Sequence, residues 1–446
     1  MNKVGIIADD LTGATTVGVL LARNNIRTAA FFSDFSNTDV AEMEAIVLSS
    51  DSRHLSPENA KKSIHYNLEK LVSNGCNMFS KRIDTTLRGG IGHEVDEFLD
   101  NLPDDTIGVM VPSMPQSNRI LVGGYSIIDG IALSKTDVAN DVRTPIKETY
   151  VPEIIGKQTR HKIGMVGLSS ILGGKESTKA ALAYQKSLGA RIIICDAVSI
   201  EEIEMIAESV SELNWRVLAI DPGPFSTALA LNNGLGRKNM TDSNLPSGDQ
   251  IKEDGKVIAV AGSATAVTRD QIKYIQAFKN VESLSIDPIV SALDSSDIQR
   301  QALEVKVAEE AKKSVSNLET NVTVLETAVS SGATNLDELD AKNGFEKGMS
   351  AANINNMLGT TVLSLLENDE DISIDGLYLT GGDTMVTVLK SIGAVGIELI
   401  DYVIPQTDFG KVIGGTYAGL KIIGKGGLTG KLDTAAVAIN KMIEEN

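Results

Sequence analysis

Short apolar runs alternate with longer stretches of helical period along the whole chain. In the first half, Val4–Ala8, residues 28–32, 45–48, Met78–Arg82 and 107–111 read as strands, with helical patterns such as 11–24 and 56–72 between them. Asp129-Gly130, flanked by isoleucines, predicts a hairpin over residues 125–133. The alternation resumes at 162–166, 191–195 and 217–220. A second series starts with Val257–Ala261 and continues with strands near 284–286, 322–325 and 376–379. Helical patterns at 298–313 and 351–366 separate these, and a compact β pair over 412–423 precedes a last helix.

Strand–helix alternation of this kind predicts an α/β fold. At 446 residues the chain exceeds one core of usual size. Residues 233–255 are polar and rich in Gly, Pro, Asn and Asp, which suits a linker. The expectation is therefore two α/β domains, 1–232 and 256–446, with open, largely parallel sheets facing a shared interdomain cleft.

Charge narrows the partners. A formal net charge of −18 argues against nucleic acid or an anionic membrane, both of which attract a basic face. An anionic ligand must then be held by a local cluster of cations. Cys76 and Cys195 sit apart beside apolar runs and read as buried thiols. No apolar run reaches 18 residues and the N-terminus lacks a signal-type apolar segment, so a cytoplasmic protein is expected.

The chemistry gathers at strand ends. Asp9 and Asp10 follow the first strand, where an open α/β sheet collects its ligands. One of them suffices as an N-cap. Two carboxylates repel phosphate and suit hydroxyl groups, as hydrogen-bond acceptors or as a base. Lys81, Asp84 and Arg88 follow the apolar run Met78-Phe79 of the fourth strand, with Gly89, Gly90 and Gly92 beside them. This is either a surface turn tied by salt bridges or an anion-binding turn, in which Arg88 offers a planar fork and the glycines let backbone N–H groups approach. Asp51-Ser52-Arg53-His54 places further charge at a strand end, and Ser113 and Arg119 lie in the loop after the fifth strand.

The second half carries three turns of glycine and hydroxyl residues: Gly262-Ser263; Gly381, Gly382, Asp383 and Thr384; and Gly424–Gly430, which opens with Gly424, Lys425, Gly426 and Gly427. Together they suit a polyphosphate cradle, with Lys425 adding a cation. No Walker A loop and no G-x-G-x-x-G after the first strand occurs. Acids and cations in the front half with a phosphate cradle behind point to phosphoryl transfer.

These motifs, in this order, resemble the four-carbon acid sugar kinases. The carriers are Ala8 to Ala14, Asp51-Ser52-Arg53, Lys81 to Gly89, Pro112 to Pro115 with Arg119, the Asp129-Gly130 hairpin, Gly262-Ser263, Thr380 to Thr384 and the late Lys-Gly-Gly. The resemblance covers almost the whole chain. It implies an N-terminal domain binding a sugar acid such as threonate, erythronate or 3-oxo-tetronate, and a C-terminal domain binding ATP. Asp10 or Asp9 would orient and deprotonate the acceptor hydroxyl. Arg88, helped by Lys81, would hold the carboxylate; Asp84 would bind a hydroxyl, position Arg88 or form a simple ion pair. Gly89, Ser113 and Arg119 fall on the same side. Ser263, the turn from Gly381 to Thr384, and the glycines near Lys425 fall on the nucleotide side, and ATP chemistry implies Mg2+. The chain departs from the family pattern at Lys425-Gly426-Gly427, where members more often show Lys-Ser-Gly. A glycerate-type kinase and a non-catalytic sensor stay open as alternatives. So does the oligomeric state, a homodimer included.

Overall fold

A computed structural model describes residues 2–140, 144–238, 245–367 and 373–445. The chain forms two compact units: Met1–Phe32 with Ser36–Met240, and Ser33–Phe35 with Thr241–Asn446. Each is an α/β unit.

The first unit holds β1 (Val4–Ala8), β2 (Thr28–Phe31), β3 (Ala45–Ser49), β4 (Met78–Arg82), β5 (Ile107–Met110), β6 (Arg119–Val122), β7 (Tyr125–Ile128), β8 (Ile131–Ala132), β9 (Ile163–Val166), β10 (Ile192–Cys195) and β11 (Val217–Asp221). Its main sheet runs β2-β3-β1-β4-β11-β5-β10-β9, with every pair parallel. Parallel strands are covered by helices on both faces, which explains why these runs are apolar throughout instead of alternating. One side of the core joins Ile107, Val109, Ile193, Cys195, Ile206 and Phe225. The expected hairpin is present: β7 and β8 pair across Asp129 and Gly130, both at positive φ. A third strand, β6, pairs with β7 and was not legible in the sequence.

The second unit holds β12 (Val257–Ala261), β13 (Val281–Ser285), β14 (Val322–Glu326), β15 (Gly376–Thr380), β16 (Gly396–Ile404), β17 (Thr407–Ile413) and β18 (Lys421–Lys425). Its sheet runs β13-β14-β12-β15-β18-β17-β16, parallel through β18 and antiparallel for the last two strands. The β pair expected over 412–423 is β17 with β18, but β17 starts at Thr407 and β16 extends the edge.

Both units share one topological device. β1 lies between β3 and β4, and β12 lies between β14 and β15, so each chain path reverses direction beside its first strand. A crevice at the carboxyl ends of strands forms at such a reversal.

The stretch read as a linker is tied down at both ends. Leu235 is buried and Arg237 N donates to Asn24 O in the first unit. Asn440, on the last helix of the second unit, donates to Ser247 O and Gln250 O and accepts from Lys252 N. Residues 239–244 lie outside the described residues. Among the described residues, no helix is long and apolar enough to cross a membrane.

Candidate active site

In the first unit, Ala8, Ser49, Arg82 and Asp221 end their strands in one row. The residues that follow them therefore meet at the reversal between β1 and β4. Asp9 is buried there, and Asp10 caps the helix Leu11–Ala22 by accepting from Gly13 N at 2.7 Å. Arg53 joins the two acids. Its Nε and Nη2 donate to Asp9 at 2.7 and 3.1 Å, while Nη1 lies 2.7 Å from Asp10 Oδ2. Arg82, also buried, places Nη1 3.5 Å from Asp9 Oδ1 and 3.6 Å from Asp10 Oδ1. A methyl group at Gly13 would overlap that guanidinium, so the first turn of the helix needs glycine.

Burial alone would push the Asp9 carboxyl up, but Lys81, Arg53 and Arg82 reverse this and hold it below its ordinary value. Burial disfavours the Arg53 cation too, yet Asp9, Asp10 and Asp84 keep it firmly charged. Asp84 accepts from Arg88 Nε at 2.7 Å and from the Thr86 hydroxyl. Burial would raise its pKa; the charges of Arg53, Arg88 and Arg82 hold it well below the usual carboxylate range. The result is a layered cluster. Asp10 and Arg88 each expose 28% of the side chain, against 5% for Asp9 and 1% for Lys81. A ligand would meet Asp10 and Arg88 first.

Several expected contacts sit differently. Lys81 Nζ lies 2.5 Å from Glu94 Oε2 and is sealed from solvent, so it acts on the site through its field instead of touching a ligand. Glu94 also accepts from Ser52, which pairs with Ser50. Gly89, at φ +92, shapes the turn, but the Gly92 amide is taken by Gln158 Oε1 at 2.8 Å and is closed to a ligand. Ser113 is fully buried and donates to Ala197 O. Arg119 donates to Ser117 O at 2.5 Å.

In the second unit, Ser285, Glu326, Ala261, Thr380 and Lys425 end five adjacent parallel strands in one row. The turns that follow line a single cavity of about 540 Å³, which includes Gly262, Ser263, Thr265, Gly381, Gly382, Asp383, Thr384, Gly426, Gly427 and Thr429. The three glycine turns thus meet, in a space of the size small-ligand sites occupy. Gly381, at φ +103, starts the helix Gly382–Ser391 without a side-chain cap, which leaves its first amides and positive dipole end for an anion. Close packing accounts for the other glycines. A side chain at Gly262 would overlap Thr384, and one at Gly427 would crowd Ser263 Oγ.

Lys425 and Gly424 lie behind this surface. Lys425 Nζ donates to Gly426 O at 2.8 Å and Thr429 O at 3.2 Å, so the cation holds the turn in shape from inside. Burial lowers its pKa to about 8. A side chain at Gly424 would overlap Met385 Sδ.

Two family models cover the chain: a sugar-binding N-terminal domain over residues 4–229 and a nucleotide-binding C-terminal domain over residues 258–435. The chain is 35% identical to a D-erythronate kinase of Heliobacterium modesticaldum, over 99% of this chain and 98% of that one. The chain belongs to the four-carbon acid sugar kinase family. It is an ATP-dependent phosphotransferase. A D-threonate kinase of Salmonella typhimurium is 26% identical over 98% of this kinase and 97% of its own chain. A crystal structure of a Salmonella typhimurium LT2 protein has the same fold, with a TM-score of 0.81 at 20% identity over 99% of this chain and 100% of that one.

Some residues of these two clusters carry little sequence signal. Arg53 was visible as charge at a strand end, but nothing marked it as the bridge between two acids. Arg82 looked like a neighbour of Lys81. Glu94 and Gln158 lie in or beyond a helix with no motif around them, and only the tertiary fold brings them to Lys81 and Gly92. Asn355, which accepts from Thr384 Oγ1 at 2.8 Å, is equally silent in sequence.

Proposed function

We propose that the protein transfers the γ-phosphoryl group of ATP to a hydroxyl of a four-carbon sugar acid of the erythronate and threonate class, with Asp10 as the base. The observation that carries this reading is the division of labour that Arg53 imposes. Asp9 is gripped by two N–H donors and buried, whereas Asp10 shares one guanidinium nitrogen and a backbone amide and keeps 28% of its side chain exposed. Asp10 accepts the proton of the acceptor hydroxyl as that oxygen bonds to phosphorus and the bond to the bridging oxygen breaks, leaving ADP. Arg88 binds the substrate carboxylate through its fork, oriented by Asp84. The amides of the glycine turns bind the phosphates.

Mg2+ takes phosphate oxygens, waters and one or two carboxylates, so ATP brings most of its ligands. Among the described residues no group of three or more His, Cys, Asp or Glu is arranged to hold a metal. Asp383 is the carboxylate lining the cavity and is what the chain offers the ion, which would neutralise charge on the transferring phosphates.

The test is ADP release from Mg-ATP with a panel of four-carbon sugar acids, D-erythronate first because of the 35% identical relative, with D-glycerate as control. Turnover on one or two of these acids, lost in Asp10→Asn and retained in part by Asp9→Asn, is expected. Equal activity of Asp10→Asn and the parent would remove Asp10 from the chemistry. Turnover confined to glycerate would move the substrate class.

A further inference from the structure

The first unit holds a cavity of about 460 Å³ at the amino ends of its strands, where Val4, Met78 and Val217 begin β1, β4 and β11. From Met78 to Arg82 the strand rises about 13 Å, so this space lies at the far end of the sheet from Asp9, Asp10 and Arg82. The helices Ile200–Glu212 and Pro224–Asn232 complete it, and its size suits a small ligand. Trp215, Met78 and Phe79 line it and are half-buried, so apolar and aromatic surface is left open there. Lys186 Nζ stands 4.3 Å from the centroid of the Trp215 ring and does not line the cavity, so the cation braces the indole from outside. The described residues that line the space include no carboxylate, and the cation among them, Arg216, is engaged by Asp105 at 2.9 Å. Hydrogen-bonding capacity is left over. Ser211 Oγ is buried and has no partner among the described residues, a penalty that a bound polar group would remove. Asn214 and Asn233 spend their side-chain N–H groups on Glu212 O and Leu229 O, which leaves their side-chain oxygens to accept.

We infer that this cavity is a second ligand site, which takes a neutral, planar heteroaromatic molecule of one or two rings packed on Trp215. Three features set the class. Indole, phenyl and thioether surface rewards a flat ring that leaves water. The hydroxyl of Ser211 and the oxygens of Asn214 and Asn233 call for ring N–H, ring nitrogen or carbonyl groups at the edge of that ring. A charged ligand would shed its hydration and find no free counter-charge in return. The site is separate from both clusters described above, and its occupant does not compete with the sugar acid or the nucleotide.

Trp215 is the sole tryptophan of the chain, so its fluorescence reports on this cavity. The full chain is titrated with nicotinamide and with adenine, each with and without excess ADP, and with cyclohexanecarboxamide as a neutral amide that has no planar ring. A saturable change with at least one of the two aromatic probes, unaltered by ADP, is expected, with cyclohexanecarboxamide about tenfold weaker. Two variants locate the binding. Ser211→Leu fills the space at a hydroxyl that has no bond to lose, and Trp215→Ala, followed by calorimetry, removes the ring. Thermal unfolding shows which of them is folded, and a folded variant should bind about tenfold weaker or worse. A strictly linear response to both probes overturns the site, as does unchanged affinity in a folded variant. Loss of binding on adding ADP assigns the probes to the nucleotide cavity and overturns it too. Equal binding of cyclohexanecarboxamide overturns the ligand class, and this and the ADP comparison need no variant.

Discussion

Arg53 Nη1 lies 2.7 Å from Asp10 Oδ2, on the same guanidinium that grips Asp9 through its other two nitrogens. A single rigid fork therefore sets the distance and angle between two adjacent carboxylates that would otherwise repel each other. It also spends itself unequally, which separates the acids into a structural one and an accessible one.

Replacing Arg53 with Lys keeps the charge but loses the fork, because an ammonium is a point donor that cannot span both acids. The Arg53→Lys variant should keep its fold and lose about 10²-fold in kcat, the scale of a misplaced catalytic group. Steady-state kinetics of the variant beside the parent, with thermal unfolding, check both. A normal kcat would mean the acids orient without the fork.

Lys81 and Glu94 form an ion pair in which each side chain is 1% exposed. Breaking such a pair strands a charge, so Lys81→Met should cost about 3–5 kcal/mol in chemical denaturation. The double variant Lys81→Met/Glu94→Leu removes both charges and should regain most of that loss. Its turnover should stay low, because Lys81 contributes to holding Asp9 ionised. Recovery of stability together with full activity would reduce Lys81 to a packing role.

Much of this arrangement could be read from the chain before folding. The strand ends that carry Asp9, Asp10, Asp84, Arg88 and the three glycine turns stand out because apolar runs stop abruptly at polar or glycine residues. The sheet then brings those ends together without further specification. What could not be read is how cations and acids pair across strands. Lys81 and Arg88 look alike as cations near a turn, but strand pleat sends the first inward to Glu94 and the turn sends the second outward. Lys425 misled in the same way: its position beside a glycine turn suggested a phosphate ligand, and its side chain runs back under that turn. The strand β16 escaped because its polar and apolar residues alternate irregularly, with register shifts against β17 between Leu399 and Asp401 and between Tyr402 and Ile404.

Gly262 and Thr384 test the cradle directly. A methyl group at Gly262 meets Thr384 Oγ1 and Cγ2 first, so Gly262→Ala must push the first turn of the helix Gly382–Ser391 outward. The variant should raise KM for ATP by about tenfold or more, as displaced phosphate donors forfeit charge-assisted hydrogen bonds. Thr384→Ala removes the two nearest of the three clashing atoms and leaves only Cβ, at 2.9 Å, so the double variant should bind ATP better than Gly262→Ala alone. Purely additive losses in this double-mutant cycle would show that the two residues do not share the space.

Lys425 gives the fold a pH dependence with a definite sign. Burial lowers its pKa in the folded chain to about 8, from an ordinary value of 10.5. Between those values the unfolded chain holds the proton and the folded chain has released it. Stability from this group therefore rises with pH through that window and is flat below it, where the buried charge carries its full penalty. Lys425→Met lacks this titration. The variant also loses the donors to Gly426 O and Thr429 O, so its absolute stability is a poor guide, and the slope is what reports. Parent minus variant unfolding free energy, measured by denaturant at pH 7, 8, 9 and 10, should climb by about 3 kcal/mol across the window. A difference that stays constant from pH 7 to 10 would mean that the amine keeps its ordinary pKa, and that the carbonyls of the turn compensate its burial.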